Sequence, residues 1–320
     1  MDSINPTRTI NISFQDYVQN KKEFLNAHLE EGLPDYAYGA DYLLRKKIKS
    51  IPGFYALAKA ITNTYVPYKK QELNLNCIAI GPTQFADVYE LVTDCARRLG
   101  IGIPTVFVEP DPATINAYTI STESEAPLVV ITSALLERYT RAELKTVIGH
   151  ECGHIHNGHG IYETAAQILL GSLEMTIPGV KQILQLASTP LRWGLMTWSR
   201  AAEVTSDRAS VICCDDVTSS MTAYAKFLYG ASFHRADINI DAVLKQYDML
   251  RATPVRLLEI DSSHPVPVRR LFAIKEFLRS KVLYEWRPEW KTSDMDLIDK
   301  QELDARCEKF ISVTKSQKRR

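Results

Sequence analysis

Thr146-Val-Ile-Gly-His150-Glu151-Cys-Gly-His154-Ile-His156-Asn-Gly-His159 is the stretch from which the rest of the chain can be read. On an α-helix His150 and His154 are one turn apart, so both imidazoles leave the same face and can converge on one metal ion. Glu151 stands beside them, where a carboxylate can take a proton from water activated by that metal, the H-E-x-x-H pattern of metal-assisted hydrolysis. An accidental match on a polar helix is the plain alternative. Upstream, Leu135, Leu136, Leu144, Val147 and Ile148 recur at helical spacing and the acidic Glu143 stands near the helix start, as in a core helix with one functional face.

Composition narrows the class. With 320 residues, 45% apolar and 24% charged, the chain has enough material for one large globular domain or two modest ones, and no fibrous or disordered class fits. Lys+Arg and Asp+Glu both number 38, so net charge predicts no attraction of the whole surface to nucleic acid or anionic lipid. The basic runs Arg45-Lys46-Lys47-Ile-Lys49 and Lys318-Arg319-Arg320 read as a solvated helix face and a frayed tail. Six cysteines, at 77, 95, 152, 213, 214 and 307, form no C-x-x-C pair and no disulfide framework, which predicts a reducing compartment. The first residues hold no apolar leader, Asp2 stands where myristoylation needs glycine, and the end carries no C-a-a-X box. A cytoplasmic location is the expectation.

Along the chain, Phe14 to Leu29, Tyr36 to Ile48 and Phe54 to about Tyr65 read as amphipathic helices with nothing catalytic in them, and the lone His28 as a surface residue. Val66-Pro-Tyr-Lys-Lys-Gln reads as a joint. Leu75 to Ile80 is a short apolar run ending at Gly81-Pro82, and Phe85 to Leu99 is a helix. Pro104 to Val108 and Leu128 to Thr132 have the β-branched content of strands. Between them Asn116-Ala117-Tyr118-Thr119-Ile120 reads as a strand or hairpin bordering the metal helix, in position to pair with an extended peptide, or as a polar loop without that role.

Tyr162 to about Met196 is apolar, but Glu174, Lys181 and Arg192 interrupt it and Pro178-Gly179 and Pro190 punctuate it. No run reaches the ~18–20 residues that spanning needs. A helical hairpin covering the metal helix is the reading, with peripheral membrane contact left open as a second one.

Next comes Trp198-Ser-Arg200-Ala-Ala-Glu203-Val-Thr-Ser-Asp207-Arg208. A helix presenting Glu203 completes a His2Glu metal set, and Asp207, four residues on, shares that face and can accept a hydrogen bond from a ligand histidine. Alone, E-x-x-x-D reads as a charged face with Arg200, Glu203, Asp207 and Arg208 as solvated pairs. After an H-E-x-x-H helix the ligand reading takes precedence. A third histidine in metzincin spacing is absent, since the glycine and histidine positions of that pattern hold Asn157 and Gly160. His156 and His159 therefore read as polar residues at a helix end that favours imidazolium, and Cys152 as packed on the side away from the ligands.

Four ordered blocks, Asn116-Ala117-Tyr118, His150-Glu-Cys-Gly-His154, Ser199 to Arg208, and Ser263-His264-Pro265-Val-Pro-Val-Arg-Arg270-Leu271, resemble the HtpX-like zinc endopeptidases. These are relatives of the type-one CAAX prenyl protease and of other gluzincins. The resemblance covers roughly residues 75 to 280. It implies zinc held by His150, His154 and Glu203, Glu151 as general base, Asn116 with Ala117 and Tyr118 lining the substrate cleft, and His264 and Arg270 supporting the transition state and the site walls. Membrane members of that family carry spanning helices, one of them between the metal motif and the third ligand. The interrupted stretch here makes this chain resemble a soluble member.

The expected fold is α+β, mainly helical, a gluzincin-like (zincin) metallopeptidase domain with a small β-sheet. A helical lead-in over 1–70, a zinc metallopeptidase domain over 71–283 and a C-terminal segment over 284–320 are the expected divisions. The expected activity is hydrolysis of peptides or proteins with one Zn2+ per chain. A rival reading is a latent or regulatory zinc-binding protein whose cleft is covered by its own terminal segments.

Overall fold

The computed structural model describes residues 28–30, 33–169, 189–229, 238–250 and 267–311. It is mainly helical around one four-stranded sheet: β1 (Ile78–Ile80), β2 (Thr105–Glu109), β3 (Ala117–Ile120) and β4 (Leu128–Thr132), in the order β1-β2-β4-β3. β2 and β4 run parallel, while β1 and β3 flank them antiparallel. β4 is buried along its whole length, which explains why Leu-Val-Val-Ile-Thr is a continuous apolar run instead of an alternating one.

The period of two along the strands sorts their side chains into two cores. Val106, Val108, Val129 and Ile131 face one cluster with α3 (Ala86–Leu99) and α5 (Arg141–His156). Phe107, Ile120, Leu128 and Val130 face the other, with α2 (Phe54–Asn76) and α6 (Gly160–Leu169). The sheet is thus covered by helices on both faces. Two short helices complete the frame around it: α1 (Gly39–Lys49) lies against α7 (Thr189–Cys213), and α4 (Ser133–Arg138) follows β4 directly.

Helix α5 starts on a capping box. The Thr140 side chain accepts from the Glu143 backbone N–H and the Glu143 carboxylate accepts from the Thr140 N–H at 2.8 Å. Lys226 of α8 (Val217–Tyr229) then pairs with Glu143 at 2.6 Å. The helix ends at Asn157, where Gly158 takes a φ of +62° that a residue with a Cβ adopts only at a cost.

Several expectations need correction. Helix α2 does not stop near Tyr65: it continues to Asn76 with Pro67 inside it, so the expected joint at 66–71 falls within a continuous helix. A mid-helix proline costs about 3 kcal/mol, and burial of Tyr65, Val66 and Leu73 against the sheet offsets it. Leu75 belongs to that helix and is exposed, which leaves only Ile78–Ile80 as strand. The expected helix Phe14–Leu29 lies outside the described residues except at its end, where Leu29 is extended and pairs with Pro34. The middle of the apolar stretch, 170–188, also lies outside them. No helix of the described residues is long and apolar enough to cross a membrane.

At the C-terminal end, α9 (Ile240–Leu250) and α10 (Pro267–Phe277) are followed by α11 (Lys281–Trp286) and α12 (Lys300–Ile311), and α12 packs on α10.

Candidate active site and metal centre

Helices α5 and α7 make the most extensive contact among the described elements. Gly149 and Gly153, one turn apart on α5, face α7, and a Cβ on Gly149 would stand 2.6 Å from the Cys213 Cβ. Close approach at these glycines brings Glu203 of α7 level with the two motif histidines.

There His150 Nε2 and His154 Nε2 are 3.2 Å apart, and Glu203 oxygens lie 3.5 and 3.6 Å from them. All three side chains are buried, and among the described residues they are the one cluster of three or more His, Cys, Asp and Glu whose donor atoms lie close enough to share a metal ion. Bonds of ~2.0–2.1 Å to a tetrahedral metal put neighbouring donors roughly 3.3–3.4 Å apart. The donor set therefore fits a single divalent metal, with two imidazoles and a carboxylate on three corners.

Beside it, the Glu151 carboxylate accepts a 2.7 Å hydrogen bond from Thr119 Oγ1 of β3. Among the described residues β3 pairs with β4 alone, and beside it lies a cleft of about 570 Å3 lined by Asn116, Ala117, Tyr118, both histidines and Arg270. Among the described residues, none before residue 109 or after 270 lines this cleft, so no described terminal segment covers it.

Asp207 lies one turn after Glu203, and its Oδ1 is 3.0 Å from His150 Nδ1. Arg270 Nη2 is 3.2 Å from the same nitrogen, but a guanidinium has no acceptor, so when His150 gives Nε2 to a metal and carries its proton on Nδ1, Asp207 is the acceptor. Arg270 itself spans both carboxylates: Nη1 is 2.9 Å from Glu203 Oε2, while Nε and Nη2 donate to Asp207 at 2.9 and 2.6 Å. The face of Tyr224 lies 4.8 Å from the guanidinium. Burial acts to raise the Asp207 carboxyl, and the Arg270 charge with the hydrogen bonds from His150 and Arg270 more than offsets this, holding it below the usual carboxylate range. The charged face of solvated pairs is thereby excluded: Glu203, Asp207 and Arg208 are all buried, and Arg208 donates to Asp304 Oδ1 at 2.7 Å.

Burial pushes His154 down, and the carboxylates of Glu203, Glu151 and Glu163 together more than offset it, raising it to about 9. Its other nitrogen, Nδ1, lies 3.0 Å from His159 Nδ1. His159 is therefore no exposed imidazolium at a helix end. It is fully buried, and burial takes its pKa down to about 4 despite the nearby Asp41 carboxylate. His159 Nε2 is 2.8 Å from Asp41 Oδ2 of α1, a residue in a region that carried no catalytic signal in the sequence. His156 points elsewhere, with Nδ1 2.8 Å from the Tyr36 hydroxyl. Cys152 is buried in the core, where desolvation raises its thiol well above the ordinary value, in keeping with a packing role. His264 lies outside the described residues. Sequence reasoning missed Thr119, Asp41 and His159, and the small-residue pair Gly149/Gly153 was the overlooked signal for the helix contact.

With this geometry in place, comparison with known proteins gives a consistent result. The sequence pattern of Peptidase family M48 matches residues 82–278. The plastoglobule-localized metallopeptidase 48 of Arabidopsis thaliana chloroplasts is 31% identical over 243 residues, covering 73% of this chain and 69% of that one. A protease HtpX homolog of Dictyoglomus turgidum is 30% identical over 124 residues, 38% of this chain and 40% of its own. One from Streptococcus pneumoniae is 37% identical over 89 residues, 28% and 29% of the two chains. A comparison with solved structures found no match. The family pattern takes in more than half of the sequence and includes His150, His154 and Glu203: the chain belongs to peptidase family M48 and is a metallopeptidase.

Proposed function

We propose that this metallopeptidase holds one Zn2+ per chain on His150, His154 and Glu203 and hydrolyses internal bonds of peptide or protein substrates with Glu151 as general base. The observation that carries the reading is the convergence of three buried donor atoms beside a carboxylate whose orientation Thr119 fixes. A His2Glu set is a donor combination suited to catalytic zinc, which uses three protein ligands and keeps one position for reaction. When bound, the zinc supplies Lewis acidity, polarising the scissile carbonyl and making water acidic enough to lose its proton near neutral pH.

The chain's own groups do the rest. Glu151, with Thr119 on one oxygen, takes the proton on the other and passes it to the leaving amine. Asp207 keeps the His150 proton on Nδ1 and so aims the Nε2 lone pair into the site. Arg270 bridges Glu203 and Asp207 and fixes both, and these contacts favour a positioning role for it. Asn116, Ala117 and Tyr118 line the free edge of β3, where an extended substrate can add as a strand. His264 is assigned the oxyanion donor, a role worth about 10²–10³ in rate and separable from metal binding. Six unpaired cysteines favour a reducing compartment such as the cytoplasm.

The test is digestion of a mixed peptide library by protein stripped of metal and reloaded. Internal cleavage restored by zinc is expected. Release of single terminal residues only would make it an exopeptidase, and restoration by another metal but not by zinc would overturn the cofactor.

A further inference from the structure

The two ligand histidines are supported differently. His150 has a carboxylate directly on Nδ1, from Asp207 at 3.0 Å. His154 has instead a second imidazole there, His159, with Asp41 behind it. Proton counting leaves one arrangement. If His154 gives Nε2 to the metal, its proton sits on Nδ1, and His159 Nδ1 has to accept it. The His159 proton is then on Nε2, facing Asp41 Oδ2 at 2.8 Å. Asp41 is an acceptor only: Trp198 Nε1–H donates to Oδ1 at 2.9 Å and Thr205 Oγ1 donates to Oδ2 at 2.9 Å. His159, Asp41, Trp198 and Thr205 are all at most 1% exposed, so water offers no substitute partner.

From this chain of donors we infer that Asp41 and His159 are positioning residues for the metal, so that helix α1 fixes the tautomer and raises the basicity of His154 across the imidazole of His159. The inference rests on the proposed ligand role of His154. It makes helix α1 a working part of the metal centre, in contrast to a lead-in or a cover. Outer carboxylate partners of ligand histidines are typically worth 10–100-fold in metal affinity, and the same range is expected here.

Asp41→Asn tests it with little change of shape. Accepting from Trp198 on its oxygen, the amide turns an N–H towards His159 Nε2, drives the His159 proton to Nδ1 and sets two N–H groups against each other at His154. The full-length protein is titrated with zinc against a competing chelator, and with cobalt(II) followed by its visible absorption. Asp41→Asn should lower zinc affinity 10–100-fold and change the cobalt spectrum. Trp198→Phe, which removes a different hydrogen bond to the same carboxylate, should leave affinity within a few-fold of wild type. If Asp41→Asn does not fold, judged by circular dichroism, His159→Gln takes its place; its amide can still accept from His154 but cannot reproduce the imidazole's link to Asp41, and it too should lower affinity at least tenfold. Wild-type zinc affinity in the folded variant, or an equal loss in Trp198→Phe, overturns the inference. Glu203→Ala separates the two levels: if it binds zinc as tightly as wild type, the ligand reading itself is wrong, whatever Asp41→Asn does.

Discussion

Gly153 of α5 packs so closely on Ala209 of α7 that a Cβ added to the glycine would stand 2.7 Å from the alanine Cβ, and 3.0 Å from the Ser206 Cα. Neither neighbour can swing aside, because one is a methyl on the backbone and the other is backbone itself. Gly153→Ala gains up to about 1 kcal/mol of helix propensity. Overpacking costs typically 1–3 kcal/mol, and the backbone contact places this site at the upper end. The expected outcome is a lower melting temperature. Zinc affinity should fall with it, since any displacement of α7 at Ser206 moves Glu203 one turn away. A variant that melts higher and keeps full affinity would show that the helix spacing is not what sets the ligand geometry.

Removing Arg270 leaves the Glu203 and Asp207 carboxylates buried near one another without their shared cation. Breaking a buried pair in this way typically costs 3–5 kcal/mol. Arg270→Ala should therefore lose stability of about that size in denaturant unfolding carried out with chelator present. Arg270→Lys should recover only part of it, because an ammonium cannot bridge two carboxylates as the planar fork does. A loss under ~1 kcal/mol for the alanine variant would mean the carboxylates find other partners.

Asp207→Ala removes the acceptor on His150 Nδ1 and should cost roughly 10–100-fold in zinc affinity or activity. Competition with a chromophoric chelator measures the first directly. Unchanged affinity together with unchanged activity would return Asp207 to a purely structural partner of Arg270.

The parts of this site that were readable in the sequence depend on short-range periodicity. His150 and His154 share a helix face because they are four residues apart, and Glu203 and Asp207 do so for the same reason. β4 was likewise readable, since a strand buried on both faces is apolar throughout. Asp41 and His159 are 118 residues apart, one on α1 and the other in the turn between α5 and α6, and meet through tertiary packing for which no local pattern exists. Pro67 misled for the opposite reason: its local signal is strong, and burial of Tyr65, Val66 and Leu73 outweighed it.

Thr119 is the contact that orients the proposed base. Thr119→Val keeps the β-branched shape that a strand favours and removes the 2.7 Å donor to Glu151. A hydrogen bond to a charged group is worth about 1.5–3 kcal/mol, so kcat should fall roughly ten- to a hundredfold with KM little changed. Thr119→Ser restores the hydroxyl and should restore most of the rate. Equal loss in both variants would assign the residue to packing.

The most direct test of the account is Glu151→Gln, compared with wild type for bound zinc and for turnover of one peptide substrate chosen from the library. Glutamine keeps the shape of the side chain and can still accept from Thr119, but it cannot take a proton. Variant and wild type alike should carry one zinc per chain, and the variant should turn over about 10²–10⁴-fold more slowly. Near-normal turnover in Glu151→Gln, or a wild-type protein that holds no zinc when purified without chelator, would contradict it.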